Sequence, residues 1–189
     1  MTPRLVKAID FMRAAHAGQM RRDGVRLFEV HPLDVMNRVS VVAKTEDLLI
    51  GAVLHDTWEH VREGVLPAHP EYDLDAIRAK FGDNVAEIVC DLTDRFIKKD
   101  YPNLNRKARK ELERQRYSTM SNEARLIKIA DICSNMSDLD SGDRGFATLY
   151  LKEKALCLPL LRENTLSNIY LYGIAERILQ EQLKRFNII

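Results

Sequence analysis

Apolar residues return at three- and four-residue intervals along almost the whole chain, while the alternation of a half-buried strand is nearly absent. That pattern restricts the chain to helices that pack through one apolar face. Thr2 before Pro3 caps a first helix with Leu5, Ala8, Ile9, Met12, Ala15 and His16 on one face, and Gly18 ends it. Gln19 to Val30 reads as a polar loop turning at Asp23-Gly24. Pro32 suits the first turn of a second helix carrying Leu33, Val35, Met36 and Val39. Thr45, with Glu46 and Asp47, opens a third that runs through Leu48, Leu49, Ala52 and Val53 into His55.

The pattern breaks from Arg62 to Tyr72, where Gly64, Pro67 and Pro70 read as an exposed loop. A short helix follows from about Leu74 to Phe81, and Asp83 starts the next after Gly82. Arg95 to Asn105 is loop-like and basic. Arg106 to Tyr117 interleaves Lys/Arg with Glu, which reads first as a solvated helix face and second as cations leaning over an anionic substrate. Ser121 opens another helix; Gly142 and Gly145 mark a loop. Two helices close the chain, Phe146 to Glu163 with a kink at Pro159, and Leu166 to Phe186. With no repeat or linker in view, residues 1–189 are expected to form one all-α domain.

Composition excludes more than it identifies. A net charge of +1 gives no global bias toward nucleic acid or membrane. No apolar run approaches the ~20 residues of a bilayer span. Met1-Thr2-Pro3-Arg4 leads straight into an amphipathic pattern, so no signal peptide is expected. Cys90, Cys133 and Cys157 are widely spaced in helical patterns and read as reduced core thiols of a cytoplasmic protein.

The chemistry centres on Ala52-Val53-Leu54-His55-Asp56-Thr57-Trp58-Glu59-His60. At a helix bend or end, adjacent His and Asp side chains can turn onto one cation. His31 stands at a loop-to-helix junction before Pro32, and Asp131 lies in the apolar run Ile127-Lys128-Ile129-Ala130-Asp131-Ile132. A carboxylate there is costly to bury unless it meets a cation or a hydrogen-bond donor. Singly, these residues read as a cap, helix-end polar groups and a partner for Lys128. Jointly, two imidazoles and two carboxylates suit Mn²⁺, Fe²⁺, Co²⁺ or Zn²⁺ better than Ca²⁺.

Several stretches resemble HD-domain phosphohydrolases, and within them the hydrolase domain of RelA/SpoT-type alarmone enzymes, the small stand-alone relatives above all. They are Ala14-Ala15-His16-Ala17-Gly18-Gln19 with Arg21-Arg22-Asp23-Gly24, then Phe28 and His31-Pro32-Leu33-Asp34-Val35. Leu54-His55-Asp56-Thr57 with Glu59, Phe81-Gly82 with Val85, Leu92-Thr93-Asp94, and Leu126-Ile127-Lys128-Ile129-Ala130-Asp131 with Asn135 complete the set. The resemblance implies an HD-type bundle of about eight to ten helices. It implies a metal, usually Mn²⁺, on His31, His55, Asp56 and Asp131, and removal of the 3′-pyrophosphate of (p)ppGpp to leave GDP or GTP. Arg21 and Arg22 would face the guanine base, with Asn135 and Tyr150 helping to bind the nucleotide; alone, Arg21-Arg22 reads as an exposed loop pair. A bound metal lowers the pKa of its water, Glu59 can orient that water or exchange a proton with it, and Lys128 can neutralise phosphate charge.

Two single residues and one four-residue stretch depart from the family. His60 stands where the pattern His-Asp-x-x-Glu-Asp has an acid, and an imidazole could still take a proton there. Leu27-Phe28-Glu29-Val30 replaces a more polar stretch, and Trp58 replaces a small aliphatic residue. These leave open the same chemistry on a dNTP or on NADPH, or a catalytically silent nucleotide-binding module. No nucleic-acid or membrane partner is expected, and the apolar end Phe186-Asn187-Ile188-Ile189 could pack in an oligomer.

Overall fold

The computed structural model of the chain describes residues 1–66, 70–139 and 143–188. Ten α-helices occur among them: α1 Pro3–Ala15, α2 Val30–Ser40, α3 Glu46–Leu54, α4 Thr57–Glu63, α5 Leu74–Phe81, α6 Asp83–Leu92, α7 Arg106–Arg116, α8 Asn122–Ser137, α9 Arg144–Cys157 and α10 Leu166–Arg185. The nearest thing to a strand among the described residues is one antiparallel bridge between Met20 and Leu27, which closes the loop after α1. Short hydroxyl, amide and carboxylate caps start seven of the ten helices. Thr2, Thr45, Asp73, Asn105, Ser121, Asp143 and Thr165 each accept a backbone N–H of the turn they precede.

The core has two adjoining parts, and α3 lies between them. Leu48 and Ala52 face the part built on α2, α8 and α10, whereas Ile50, Val53 and Leu54 face α1, α5 and α6. This explains why α3 is apolar all round: it has no solvent face to make polar. Gly51 lies at its closest crossing, where an added Cβ would fall 2.7 Å from Ile88 Cγ2 and 3.3 Å from Ile127 Cδ1. The small residue lets α6 and α8 close on α3 and fixes where α3 delivers His55.

Some expected boundaries move. α2 begins two residues before Pro32, so His31 sits in its first turn rather than in a free junction. Gly145 lies inside α9, because Asp143 caps that helix by accepting from the Phe146 N–H. α9 does not kink at Pro159; it ends at Cys157 and gives way to a 3₁₀ turn, Leu158–Leu161. α4 extends to Glu63, past the expected loop start at Arg62, and stops on the left-handed Gly64. Pro67, Gly142 and Ile189 lie outside the described residues. Cys133 and Cys157 are buried free thiols, and Cys90 is half-buried. No helix among the described residues is long and apolar enough to cross a membrane.

Candidate active site

α3 stops at His55 without a proline or glycine. The imidazole supplies the reason: its Nδ1–H donates to the Ala52 carbonyl at 2.8 Å. That carbonyl would otherwise take the next N–H of the helical ladder, so the chain turns at Asp56 and restarts as α4. Because a carbonyl can only accept, the tautomer is set and the lone pair of His55 sits on Nε2. Nε2 is buried with no hydrogen-bond partner, although Asp56 Oδ1 lies 3.2 Å away and Asp131 Oδ1 3.9 Å.

From α2, the buried His31 aims Nε2 at the same point, 3.4 Å from Asp56 Oδ2 and 3.3 Å from Asp131 Oδ1. Its Nδ1 is held by the Ser134 hydroxyl at 3.0 Å. His31, His55 and Asp56 can each present a ligand atom within 4.8 Å of the others. Asp131, one face of α8, is oriented from both sides: Asn135 Nδ2 donates to Oδ1 at 2.6 Å, and Lys128 Nζ lies 3.2 Å from Oδ2. Burial opposes ionisation of Asp56 and Asp131, but the imidazoles and Lys128 overcome it and hold both carboxyls below their usual range. An orphaned imidazole nitrogen, a second imidazole fixed through its other nitrogen, and two ionised carboxylates form a donor set that fits a divalent transition metal.

Glu59, on α4, accepts the Asp94 N–H at 3.0 Å. Burial, then the charge of Asp94, pushes its carboxyl well above the ordinary range, against the pull of Lys128. Asp94 in turn pairs with Lys110 of α7 at 2.7 Å. The turn holding Asp94 is clamped from α7. Buried Glu113 accepts the N–H groups of Arg95 and Phe96, while Arg116 donates to the Asp91 and Thr93 carbonyls. α7 is therefore not simply a solvated face.

His60 packs against the end of α1 and the loop that follows it. Its Nδ1 lies 3.4 Å from Gln19 Nε2, and its ring packs on Phe28 and His16 at 4.9 and 5.3 Å. His16 stacks on Phe28 at 4.5 Å and is held by Gln19 at 2.7 Å. Burial lowers the pKa of both imidazoles, His16 to about 4. Trp58 packs against the α1 side of the core, with Arg62 over its ring at 5.2 Å.

A cavity of about 360 Å³ opens beside the cluster, lined by Arg21, Arg22, Arg26, Asn135, Phe146 and Tyr150, among others. Asn135 joins the two: its amide nitrogen holds Asp131, and its Oδ1 accepts from Arg21 at 3.0 Å. Arg21 also pairs with Asp138 at 3.1 Å. Arg22 is exposed, pairs with Asp143 at 2.6 Å and sits over Phe146, its Cζ 3.5 Å from the ring centre. Both arginines thus offer planar guanidinium groups whose charge is already matched. Lys128 and Glu59 do not line this cavity, whereas Tyr150 does. Sequence reasoning assigned no role to Ser134 or the His16–Gln19 pair, and took Lys110 only as one of the helix cations that could lean over an anionic substrate. Ser134 follows Asp131 by three residues on the same helix, which was the available signal.

The HD domain family pattern matches residues 8–152. A probable GTP pyrophosphokinase of Mycobacterium leprae is 32% identical over 69% of this chain, a match that spans only 15% of that relative's length. A guanosine-3′,5′-bis(diphosphate) 3′-pyrophosphohydrolase of Mus musculus is 32% identical over 72% of this chain and 69% of its own. Among solved structures, a metazoan ortholog of SpoT described as hydrolysing ppGpp superposes with a TM-score of 0.74 at 21% identity, covering 96% of this chain and 97% of that one. A Listeria monocytogenes EGD-e protein gives 0.57 at 21% identity, covering 82% and 99%.

Proposed function

The chain belongs to the HD-domain family, and from that premise we propose that it is a metal-dependent hydrolase that removes pyrophosphate from the 3′ position of (p)ppGpp. One observation carries the reading: the orphaned His55 Nε2 faces His31, Asp56 and Asp131, one asparagine away from an arginine-lined cavity of nucleotide size. His31, His55, Asp56 and Asp131 would hold the metal, which we take to be Mn²⁺. When bound, it supplies an acidified water and polarises a phosphoryl oxygen.

The chain's own groups do the rest. Burial and the Asp94 charge raise the Glu59 carboxyl well above the ordinary carboxylate range, which suits it to take a proton from water and return it to the departing 3′-oxygen. Lys128 neutralises charge gathering on the phosphoryl group. Arg21 and Arg22, already charge-matched by Asp138 and Asp143, suit stacking on a purine more than holding phosphate. Asn135 couples base recognition to the cluster, and Tyr150 closes the wall between them. Water adds across the bond, yielding GDP or GTP and pyrophosphate.

The neutral imidazole of His60, packed on Gln19 and Phe28, supports a second reading, the same chemistry on a dNTP or NADPH. Incubating the Mn²⁺-loaded protein with ppGpp, pppGpp, dNTPs and NADPH and resolving the products separates these. GDP from ppGpp is expected; its absence across the pH range, with turnover of another nucleotide, overturns the first reading.

A further inference from the structure

Among the described residues, two buried side-chain polar atoms have no hydrogen-bond partner: His55 Nε2 and Arg109 Nε. The first marks the metal-ligand cluster. The second lies on α7, and nothing in the cluster accounts for it. Its neighbours on the helix are all engaged. Lys110 pairs with Asp94, Glu113 accepts two backbone N–H groups, and Arg116 donates to two carbonyls. Arg106, one turn earlier, pairs with Glu153 of α9. Arg109 has no ion pair and no hydrogen bond among the described residues. An N–H donor shut off from water without an acceptor is costly, and more so on a charged group.

Arg109 lines a cavity of about 120 Å³, together with Arg106, Lys110, Glu63, Asp94 and Phe96, among others. That is a third of the volume of the cavity beside Asn135, too small for a nucleoside and large enough for one tetrahedral oxyanion. The carboxylates in its wall leave Arg109 unmatched. Asp94 is taken by Lys110 at 2.7 Å. Glu63 makes no ion pair with Arg109, and burial and then the charge of Asp94 push its carboxyl above the usual range, so it is a poor counterion. The cavity also borders the chemistry, because Asp94 lines it and Glu59 accepts the N–H of the same residue at 3.0 Å.

We propose that this cavity is an anion site, separate from the arginine-lined one beside Asn135, and that it takes one phosphate-class oxyanion on the Arg109 guanidinium. The Nε–H and one Nη–H lie on the same edge of that group, so a single oxyanion satisfies both in the bidentate way arginine favours. Arg106 and Lys110 add positive charge around it. The site stands whichever nucleotide is cleaved at the cluster. Its oxyanion can be free phosphate or the end of a nucleotide's diphosphate, and the experiment separates the two.

The arginine Nε–H resonances of the isotope-labelled full chain report on the site directly, the Arg109 signal being assigned by its absence in Arg109→Lys. The protein is kept free of metal so that the His31/His55/Asp56/Asp131 cluster does not hold phosphate. Titration with inorganic phosphate should move the Arg109 signal along a saturating curve with Kd about 1 mM or tighter, while sodium chloride of equal ionic strength leaves it in place. A signal that ignores phosphate, or drifts equally with chloride, overturns the proposal. So does a signal that moves in Glu63→Gln but not with phosphate, since Arg109 then belongs to Glu63. For the source, Arg109→Met, shown folded by circular dichroism, is compared with the parent in turnover of whichever nucleotide the Mn²⁺-loaded protein cleaves. A KM raised about tenfold with kcat little changed assigns the oxyanion to the nucleotide's diphosphate. An unchanged KM, with the phosphate-induced shift present in the parent, assigns it to free phosphate.

Discussion

Gly51→Ala tests the claim that close helix packing sets the position of His55. A Cβ at this site would lie 2.7 Å from Ile88 Cγ2, against an optimal carbon separation of ~3.5–4.0 Å, so something must move by about 1 Å. Ile88 is 3% exposed and β-branched, with little rotamer freedom to yield, and Ile127 blocks the other side at 3.3 Å. Overpacking of this kind costs about 1–3 kcal/mol, partly offset by the ~1 kcal/mol that alanine gains over glycine within a helix. The net loss, about 1 kcal/mol, should lower Tm by about 2–4 °C for a chain of this size. Gly173→Ala is the control: it lies in α10 with nothing within 4 Å of its added Cβ. There only the helix gain operates, and stability should rise by about 0.5–1 kcal/mol. Urea unfolding followed by far-ultraviolet circular dichroism gives both signs. Because α3 delivers His55 four residues later, Gly51→Ala should also weaken Mn²⁺ binding and lower kcat, while Gly173→Ala does neither. Equal stabilisation by the two substitutions would refute the close-packing argument.

Three further outcomes follow from the same geometry. Burial disfavours a charged His31, but hydrogen bonds and charge from Asp131 and Asp56 outweigh it and raise its pKa to about 9. The folded metal-free protein therefore binds that proton more tightly than the unfolded chain, so the stabilisation is full below pH ~6.5 and is lost as pH rises through about 9. The urea midpoint of EDTA-treated protein should drop across that window, and a slope unchanged in His31→Asn would contradict the assignment. Glu59→Gln keeps an acceptor for the Asp94 N–H but cannot carry a proton, so kcat should fall by about 10²–10⁴-fold with KM little changed; wild-type turnover would remove Glu59 from the chemistry. His60→Asp should raise ppGpp turnover if the imidazole is a weak substitute for the family acid, whereas no gain, with His55→Ala inactive, ends the silent-module reading.

The legible part of this chain is the part whose signals are local. Thr45 caps α3 and Ser121 opens α8, each through a side chain and a backbone N–H a few residues on, and Gly82 ends α5 through its own N–H to the Arg78 carbonyl. The His55-Asp56 break was foreseeable as a helix end, although its cause, the imidazole taking the Ala52 carbonyl, is geometric. What was not legible depends on distant chain segments. Glu113 reads as one more charge on a polar helix, and only the fold brings it the Arg95 and Phe96 N–H groups. Gln19 reads as loop polarity, and only the packing of α4 on α1 puts it between two imidazoles. Pro159 was expected to bend a helix. The helix instead ends before it, because the Leu158–Leu161 turn buries Leu158 and Leu161 in the core.

The placement of His60 bears on how protons are handled. An acid at this position would add a second carboxylate close to Asp56 and Glu59. Here the residue is an imidazole whose pKa burial depresses, so near neutral pH it adds no charge to the cluster. Glu59 then owes its raised pKa to burial and to Asp94, and through Asp94 to Lys110 and the Glu113–Arg116 clamp. Glu59, the proposed proton-exchanging group, is thus tuned from α7. Changes on α7 should therefore shift the pH profile of turnover, whereas changes at Gln19 or Phe28 should act through packing of the α1 side and leave that profile in place.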